Sequence, residues 1–277
     1  MRILIAGAGG QLGRDLQEAL PSDELFPRDH RGLDIADRDA VFRAVNQAAP
    51  QWVINAAAFN DVDGAETQSA AAFAVNARGA GNLADAAHAA GAAMLHVSTD
   101  YVFDGLKGSP YVESDVPHPL SVYGRSKYEG EQRVLGSGEN VCVVRTAWLY
   151  GRHGKNFVSA IRAAADRGGP LRVVSDQVGS PTATLDLAQA IAKLIRTPLR
   201  GLFHVVNAGS CSRFEFARAI VPESVEITAI TSTEAARPAP RPVNATLASE
   251  RWSLTGLPPL RPWKAALQEF LESRSRA

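Results

Sequence analysis

The 277-residue chain has two cysteines, six histidines and no excess of either charge. Cys142 and Cys211 are too few for a disulfide framework, and Cys142 lies in the apolar run VCVVR, where a small buried thiol is expected. The histidines are scattered, with no pair at metal-ligand spacing, so a zinc site is not expected. Twenty-nine basic residues balance 29 acidic ones without a basic stripe, which argues against nucleic-acid and anionic-membrane partners. The opening MRILIAGAGGQLG is apolar for only a few residues, shorter than a membrane span and without a signal-peptide cleavage pattern. A cytoplasmic protein binding small molecules is the expectation, and internal repeats and low-complexity tracts are missing.

What is present is an alternation. Residues 2–8, 23–29, 52–58, 93–99 and 140–148 read as short apolar strands, and between them QLGRDLQEALP, DRDAVFRAVNQAAP and residues 68–91 carry helical spacing. Strand and helix in turn imply an α/β protein with a doubly wound parallel sheet. After about residue 150, glycine and proline clusters (YGRHGKN, DRGGP, DQVGSPT, RPAPRPVNAT) predict a smaller and more irregular unit. Residues 1–150 thus read as a dinucleotide-binding domain, which the helix and strand of 184–209 rejoin. Residues 151–183 and 210–277 read as a C-terminal substrate-binding domain.

Gly7, Gly10 and Gly13 stand at the exit of the first strand and the start of a helix. There, glycines permit a tight turn and close approach to a pyrophosphate, which the positive end of the helix attracts. At the end of the second strand, Arg28 suits a 2′-phosphate whereas Asp29 suits a free ribose hydroxyl, which leaves NADPH and NADH both open. Asp34 and Ile35 could meet the adenine edge, although Asp34 could equally cap the following helix.

The stretch SVYGRSKYEGEQ carries the chemistry. Residues four apart share a helix face, so Tyr123 projects with Lys127, while Tyr128 points about 100° away. An ammonium beside a phenol favours phenolate, and the expectation is a Tyr123 pKa drawn toward neutrality for general acid–base work. A strand ending at Ser98, Thr99 and Asp100 can reach the same carboxyl edge of the sheet. There Thr99 could hold a substrate oxygen and Asp100 a sugar hydroxyl. Taken alone, Thr99-Asp100 is also a common local turn.

Together, the glycine turn, the Ser98-Thr99 strand end and Tyr123-x-x-x-Lys127 resemble the extended short-chain dehydrogenases, whose members act largely on nucleotide-sugars. More narrowly, NAAAFNDVDGAE, VNARGAGNLADAA, VSTDYVFDG, YGRSKYEGE, VVRTAWLYGRHGKNFV, DQVGSPT and RPVNATL resemble the dTDP-4-dehydrorhamnose reductases, over residues 1 to about 250. The resemblance implies a Rossmann-type fold and a catalytic trio of Thr99, Tyr123 and Lys127. It implies NADPH or NADH held by Gly10, Gln11, Leu12, Asp34, Ile35, Ala56, Ala57, Ala58 and Lys127. Thr99, Asp100, Tyr123 and Trp148 would touch the sugar. Asn156, Gln177, Pro181 and Arg241 would face the nucleotide diphosphate, to which Arg241 would bring a planar fork. The reaction implied is reduction of dTDP-4-dehydro-L-rhamnose to dTDP-L-rhamnose. Rival readings are a nucleotide-sugar epimerase or dehydratase, and a non-catalytic subunit like the regulatory subunit of methionine adenosyltransferase.

Several residues depart from the family pattern. Phe59 and Asn60 replace a usual Tyr-Thr, Asp61 and Gly64 alter an AVDKAE stretch, and Ala248 replaces an acid. All of these bear on substrate fit. A homodimer is admissible, as is a structural Mg²⁺ held by carboxylates, although no stretch isolates such a site.

Overall fold

The computed structural model describes residues 1–275. The first half runs β1 (Arg2–Ala6), α1 (Gln11–Ala19), β2 (Glu24–Arg28), α2 (Arg38–Ala48), β3 (Trp52–Asn55), α3 (Val62–Thr67), α4 (Ser69–Phe73), α5 (Ala80–Ala89), β4 (Ala93–Thr99), α6 (Val122–Leu135) and β5 (Val141–Thr146). The second half runs β6 (Leu149–Tyr150), α7 (Phe157–Asp166), β7 (Leu171–Val174), β8 (Val178–Gly179), β9 (Thr182–Ala183), α8 (Thr184–Leu194) and β10 (Gly201–His204). It continues through β11 (Cys211–Ser212), α9 (Arg213–Ile220), β12 (Ile227–Ile230) and α10 (Ser232–Ala235) to α11 (Trp263–Ser275).

Six strands form one sheet in the order β10-β5-β4-β3-β1-β2, and every pairing is parallel. The apolar runs are continuous because both faces are covered. Along β1, Ile3 and Ile5 point to the face packed by Leu12 and Leu16 of α1 and Leu187 and Ile191 of α8. Leu4 and Ala6 point to the other face, beneath Val41 and Val45 of α2 and Leu83 of α5. The chain leaves β1 toward β2 and returns to β3 on its other side, which opens a crevice at the carboxyl ends of β1 and β3 where ligands bind in such sheets. After β6 the chain builds a third core around Tyr150, Val158, Phe216, Trp263 and Phe270, with paired strands β7 and β12. Before completing it, the chain passes back through α8, which packs on α1, and β10, which pairs with β5.

The stretch 68–91, which reads as one helix, is helical from Ser69 to Ala89 but carries a wider-turn π segment at Ala74–Gly79 between α4 and α5. Such π turns gather at functional sites. This one presents Asn76, whose amide closes on both backbone groups of Phe59 and donates to Ser126 Oγ at 3.0 Å. Gly130 of α6 lies so near the Asn76 carbonyl that a Cβ there would overlap it. The π segment therefore fixes how closely α6, with its tyrosine and lysine, approaches the sheet.

Candidate active site

The glycine turn after β1 has a steric cause at two of its three positions. Gly7 has φ +79°, and a Cβ there would lie 2.5 Å from the Ala57 amide nitrogen; a Cβ on Gly13 would overlap the Gly7 carbonyl oxygen. Gly10 caps α1 without a side chain, which leaves the first-turn N–H groups of Gln11 and Leu12 at the cavity. A dinucleotide diphosphate fits this cradle, because backbone donors point at it and no carboxylate stands in the first turn.

Further out, Arg14, Arg28 and Arg43 line a cleft of about 890 Å³ at the end of β2. Asp29, which sequence set against Arg28, accepts from the Arg31 and Gly32 amides at 3.1 and 2.9 Å. Those bonds hold its carboxyl below the usual range. Its charge is occupied by its own loop, and three arginines dominate the cleft.

A second cavity of about 620 Å³ lies between the sheet edge and the C-terminal unit. It brings together Gly10, Gln11, Leu12, Ala56, Ala58, Thr99, Asp100, Tyr123, Lys127, Trp148, Gln177 and Arg241. Ser121 caps α6 by accepting from the Gly124 amide, and the helix then places Tyr123 and Lys127 side by side as the four-residue spacing requires. Tyr128 points elsewhere and packs on the cluster of Val102, Phe103 and Tyr111.

Tyr123 lies beside Thr99 in this cavity, and burial pushes its phenol above the ordinary value. This corrects the expected downward pull by lysine. The Lys127 ammonium is turned to the sheet, where Nζ donates to the Val97 carbonyl at 2.6 Å and lies 3.5 Å from His96 Nε2. Burial instead lowers the pKa of Lys127 itself, to about 8. A protonated phenol is the form that can donate a proton. Thr99 Oγ1 donates to Asp100 Oδ1 at 2.9 Å, and burial raises Asp100 to about 6. Asp100 Oδ2, Ser98 Oγ and Thr146 Oγ1, of residues that line the cavity, are buried without a protein partner.

Trp148 has φ +47°, a costly conformation for a bulky residue, held because its indole lies against Gly179, where a Cβ would overlap the ring. Arg213 stacks on the same indole, its guanidinium carbon 3.5 Å from the ring centre. Sequence reasoning missed Arg213 because a lone arginine in CSRFEF has no motif around it. It also missed Lys155 and Arg237, which line the same cavity.

Other expected residues are placed differently. Asp34 is exposed and accepts from the Ala36 amide, while Asp37 is the cap of α2. Ile35 is buried against Gly79. Asn156 caps α7 and donates to Gln11 Oε1 at 2.9 Å, bracing the cofactor loop from behind without lining the cavity. Pro181 and Ala57 are also outside the lining. Arg241 does line it, but its fork is closed on Asp63 at 2.9 and 3.0 Å.

The unusual Asp61 and Gly64 belong together: Asp61 caps α3 by accepting from the Gly64 amide, and a Cβ at 64 would overlap that carboxylate. Ala248 uses only its backbone, pairing with Tyr111 and accepting from His204. For a metal, Asp15, Glu18 and His153 are the one group among the described residues with ligand atoms within 4.8 Å of one another. Its imidazole departs from the all-oxygen set expected for Mg²⁺. Among the described residues no helix is long and apolar enough to cross a membrane.

A parallel doubly wound sheet whose carboxyl edge carries both a glycine turn and a Thr/Tyr/Lys group defines an oxidoreductase of the short-chain dehydrogenase/reductase type. The model of the RmlD substrate binding domain family matches residues 1–276, and the chain belongs to that family. It is 44% identical over 282 residues to the dTDP-4-dehydrorhamnose reductase of Mycobacterium tuberculosis strain H37Rv, covering 98% of this chain and 92% of that protein. A Streptomyces antibioticus protein named "Probable dTDP-4,6-dihydroxy-2-methyloxan-3-one 4-ketoreductase" is 42% identical, with 97% and 94% covered. The crystal structure of the dTDP-4-dehydrorhamnose reductase of Bacillus anthracis in complex with NADP superposes with a TM-score of 0.95 at 39% identity, covering 98% and 99% of the two chains.

Proposed function

We propose that this chain reduces dTDP-4-dehydro-L-rhamnose to dTDP-L-rhamnose with NADPH as the hydride donor, acting through Thr99, Tyr123 and Lys127. The observation that carries the assignment is the meeting of Thr99, Tyr123 and Lys127 in the cavity that the glycine turn also enters. The arginine cleft of Arg14, Arg28 and Arg43 favours the cofactor bearing a 2′-phosphate.

Gly10, Gln11 and Leu12 would hold the dinucleotide at the glycine cradle, and its nicotinamide would supply the hydride for the 4-keto carbon. Thr99 orients the keto oxygen, and Tyr123 gives it the phenolic proton as negative charge develops there. Lys127, on the same helix face as Tyr123, would hold the cofactor ribose and stabilise the phenolate left behind. The free oxygen of Asp100 accepts from a sugar hydroxyl, and Trp148, clamped by Gly179 and Arg213, forms the wall beside the ring. Arg213 and Arg237 face the substrate diphosphate, and Arg241 joins them when it loosens from Asp63.

Residues 1–150 with 184–209 form the dinucleotide-binding part, and 151–183 with 210–277 the substrate-binding part; residues 276 and 277 of that range lie outside the described residues. The enzyme acts in the cytoplasm on a small-molecule substrate, as a monomer or a homodimer.

Oxidation of NADPH and NADH followed with dTDP-4-dehydro-L-rhamnose and with a second dTDP-4-keto-sugar tests the assignment. Net consumption of NADPH with the rhamnose precursor is expected. Conversion without net oxidation would identify an epimerase or dehydratase instead, and co-purification with a synthetase but no turnover would identify a regulatory subunit.

A further inference from the structure

Behind the cavity, Lys127 touches a buried pair of side chains whose protons can be placed by elimination. The Asn55 amide has a fixed orientation, because its Oδ1 accepts from the Ala57 amide at 3.0 Å. Its Nδ2 therefore faces His96 Nδ1, 3.0 Å away, as a donor. His96 has no exposed surface, and burial together with the Lys127 charge keeps its imidazole neutral. A neutral ring that accepts at Nδ1 carries its one proton on Nε2. That N–H points at Lys127 Nζ, 3.5 Å away. An N–H dipole directed at an ammonium is repulsive, whereas the lone pair of a neutral amine accepts it.

We propose that Asn55 and His96 are positioning residues that lock the Nε2–H tautomer against Lys127, so that Lys127 readily releases its proton instead of remaining a fixed cation. After the substrate oxygen takes the phenolic proton, the Tyr123 phenolate recovers one from Lys127. The resulting amine accepts a hydrogen bond from His96 and is reprotonated from solvent.

The surrounding charges leave this contact in control. Glu131, one turn along α6, favours the ammonium, but its carboxylate is closed on Arg145 of β5 through bonds of 2.9 and 2.6 Å. Asp100 stands beyond Tyr123, and the π segment contributes the neutral Asn76. Burial and the His96 dipole both oppose the ammonium, in line with its lowered pKa.

The inference rests on the assignment of Lys127 to catalysis, but its first test needs no turnover. In protein labelled with ¹⁵N-histidine, with and without NADP⁺, the His96 nitrogens should show an unprotonated Nδ1 and a protonated Nε2 across neutral pH. The opposite tautomer, or a doubly protonated ring, would overturn it. In His96→Leu, the loss of reductase activity on the alkaline side should move to higher pH by about one unit, the size of one hydrogen bond. A lowered kcat with an unmoved alkaline limb would reduce His96 to packing and overturn the proposal. Should the variant not fold, the tautomer decides alone.

Discussion

Lys127 should cost the fold stability that its replacement returns. The side chain is 2% exposed and its pKa falls from 10.5 to about 8, which means the folded protein resists protonating a group that the unfolded chain protonates freely. At about 1.4 kcal/mol per unit, the shift corresponds to at most roughly 3 kcal/mol of lost stability at pH 7. Lys127→Met removes that penalty and forfeits the hydrogen bond to the Val97 carbonyl, which contributes about 1 kcal/mol. A net stabilisation of about 1–2 kcal/mol at pH 7 is expected, with reductase activity lost. The sign follows from the depressed pKa of a base. Between about 8 and 10.5 the unfolded state binds the extra proton, so wild-type stability rises with pH across that window and the penalty is gone above it. Urea unfolding of both proteins at pH 7 and near pH 10 measures this. The gap between them should shrink as pH rises; a variant less stable than wild type at pH 7, or a gap that does not change with pH, would refute the reasoning.

Asp100, raised to about 6 by burial, accepts from a sugar hydroxyl more strongly when ionised, and once protonated offers a donor in place of one acceptor site. The KM for the keto-sugar should therefore rise as pH falls through about 6, and Asp100→Asn should abolish that acid limb in steady-state profiles. In Gly13→Ala, the added methyl overlaps the Gly7 carbonyl oxygen. Thermal unfolding should report a loss of about 1–3 kcal/mol, and dinucleotide titration a weaker Kd, because the cradle itself must shift.

The fold could be read from sequence where a single physical rule dominated. β4 spans 93–99 as read, since a continuous apolar run bounded by a turn leaves little choice, and the parallel pairing of the sheet follows from the alternation of strand and helix, although its strand order does not. The π segment was not legible, because alanine-rich spacing looks the same for ordinary and widened turns; only the demand of Asn76 to meet Phe59 and Ser126 distinguishes them. At the site, helix geometry selected Tyr123 over Tyr128. The direction of the Lys127 ammonium was beyond sequence, since it depends on a β4 carbonyl and a histidine that lie close only in three dimensions. Arg213 was invisible for the same reason: its role comes from stacking on Trp148, and the two are joined by folding of the C-terminal unit. Conversely, the glycine of DQVGSPT, read only as part of a motif, has a cause in the Trp148 indole that occupies its missing side chain.

The central claim is that Tyr123 is the proton donor for carbonyl reduction. Turnover of dTDP-4-dehydro-L-rhamnose with NADPH by Tyr123→Phe tests it most directly. The account predicts a kcat lowered by about 10²–10⁴-fold with KM little changed, since the ring still packs against Tyr101 and only the proton is lost. Wild-type kcat in that variant would contradict it.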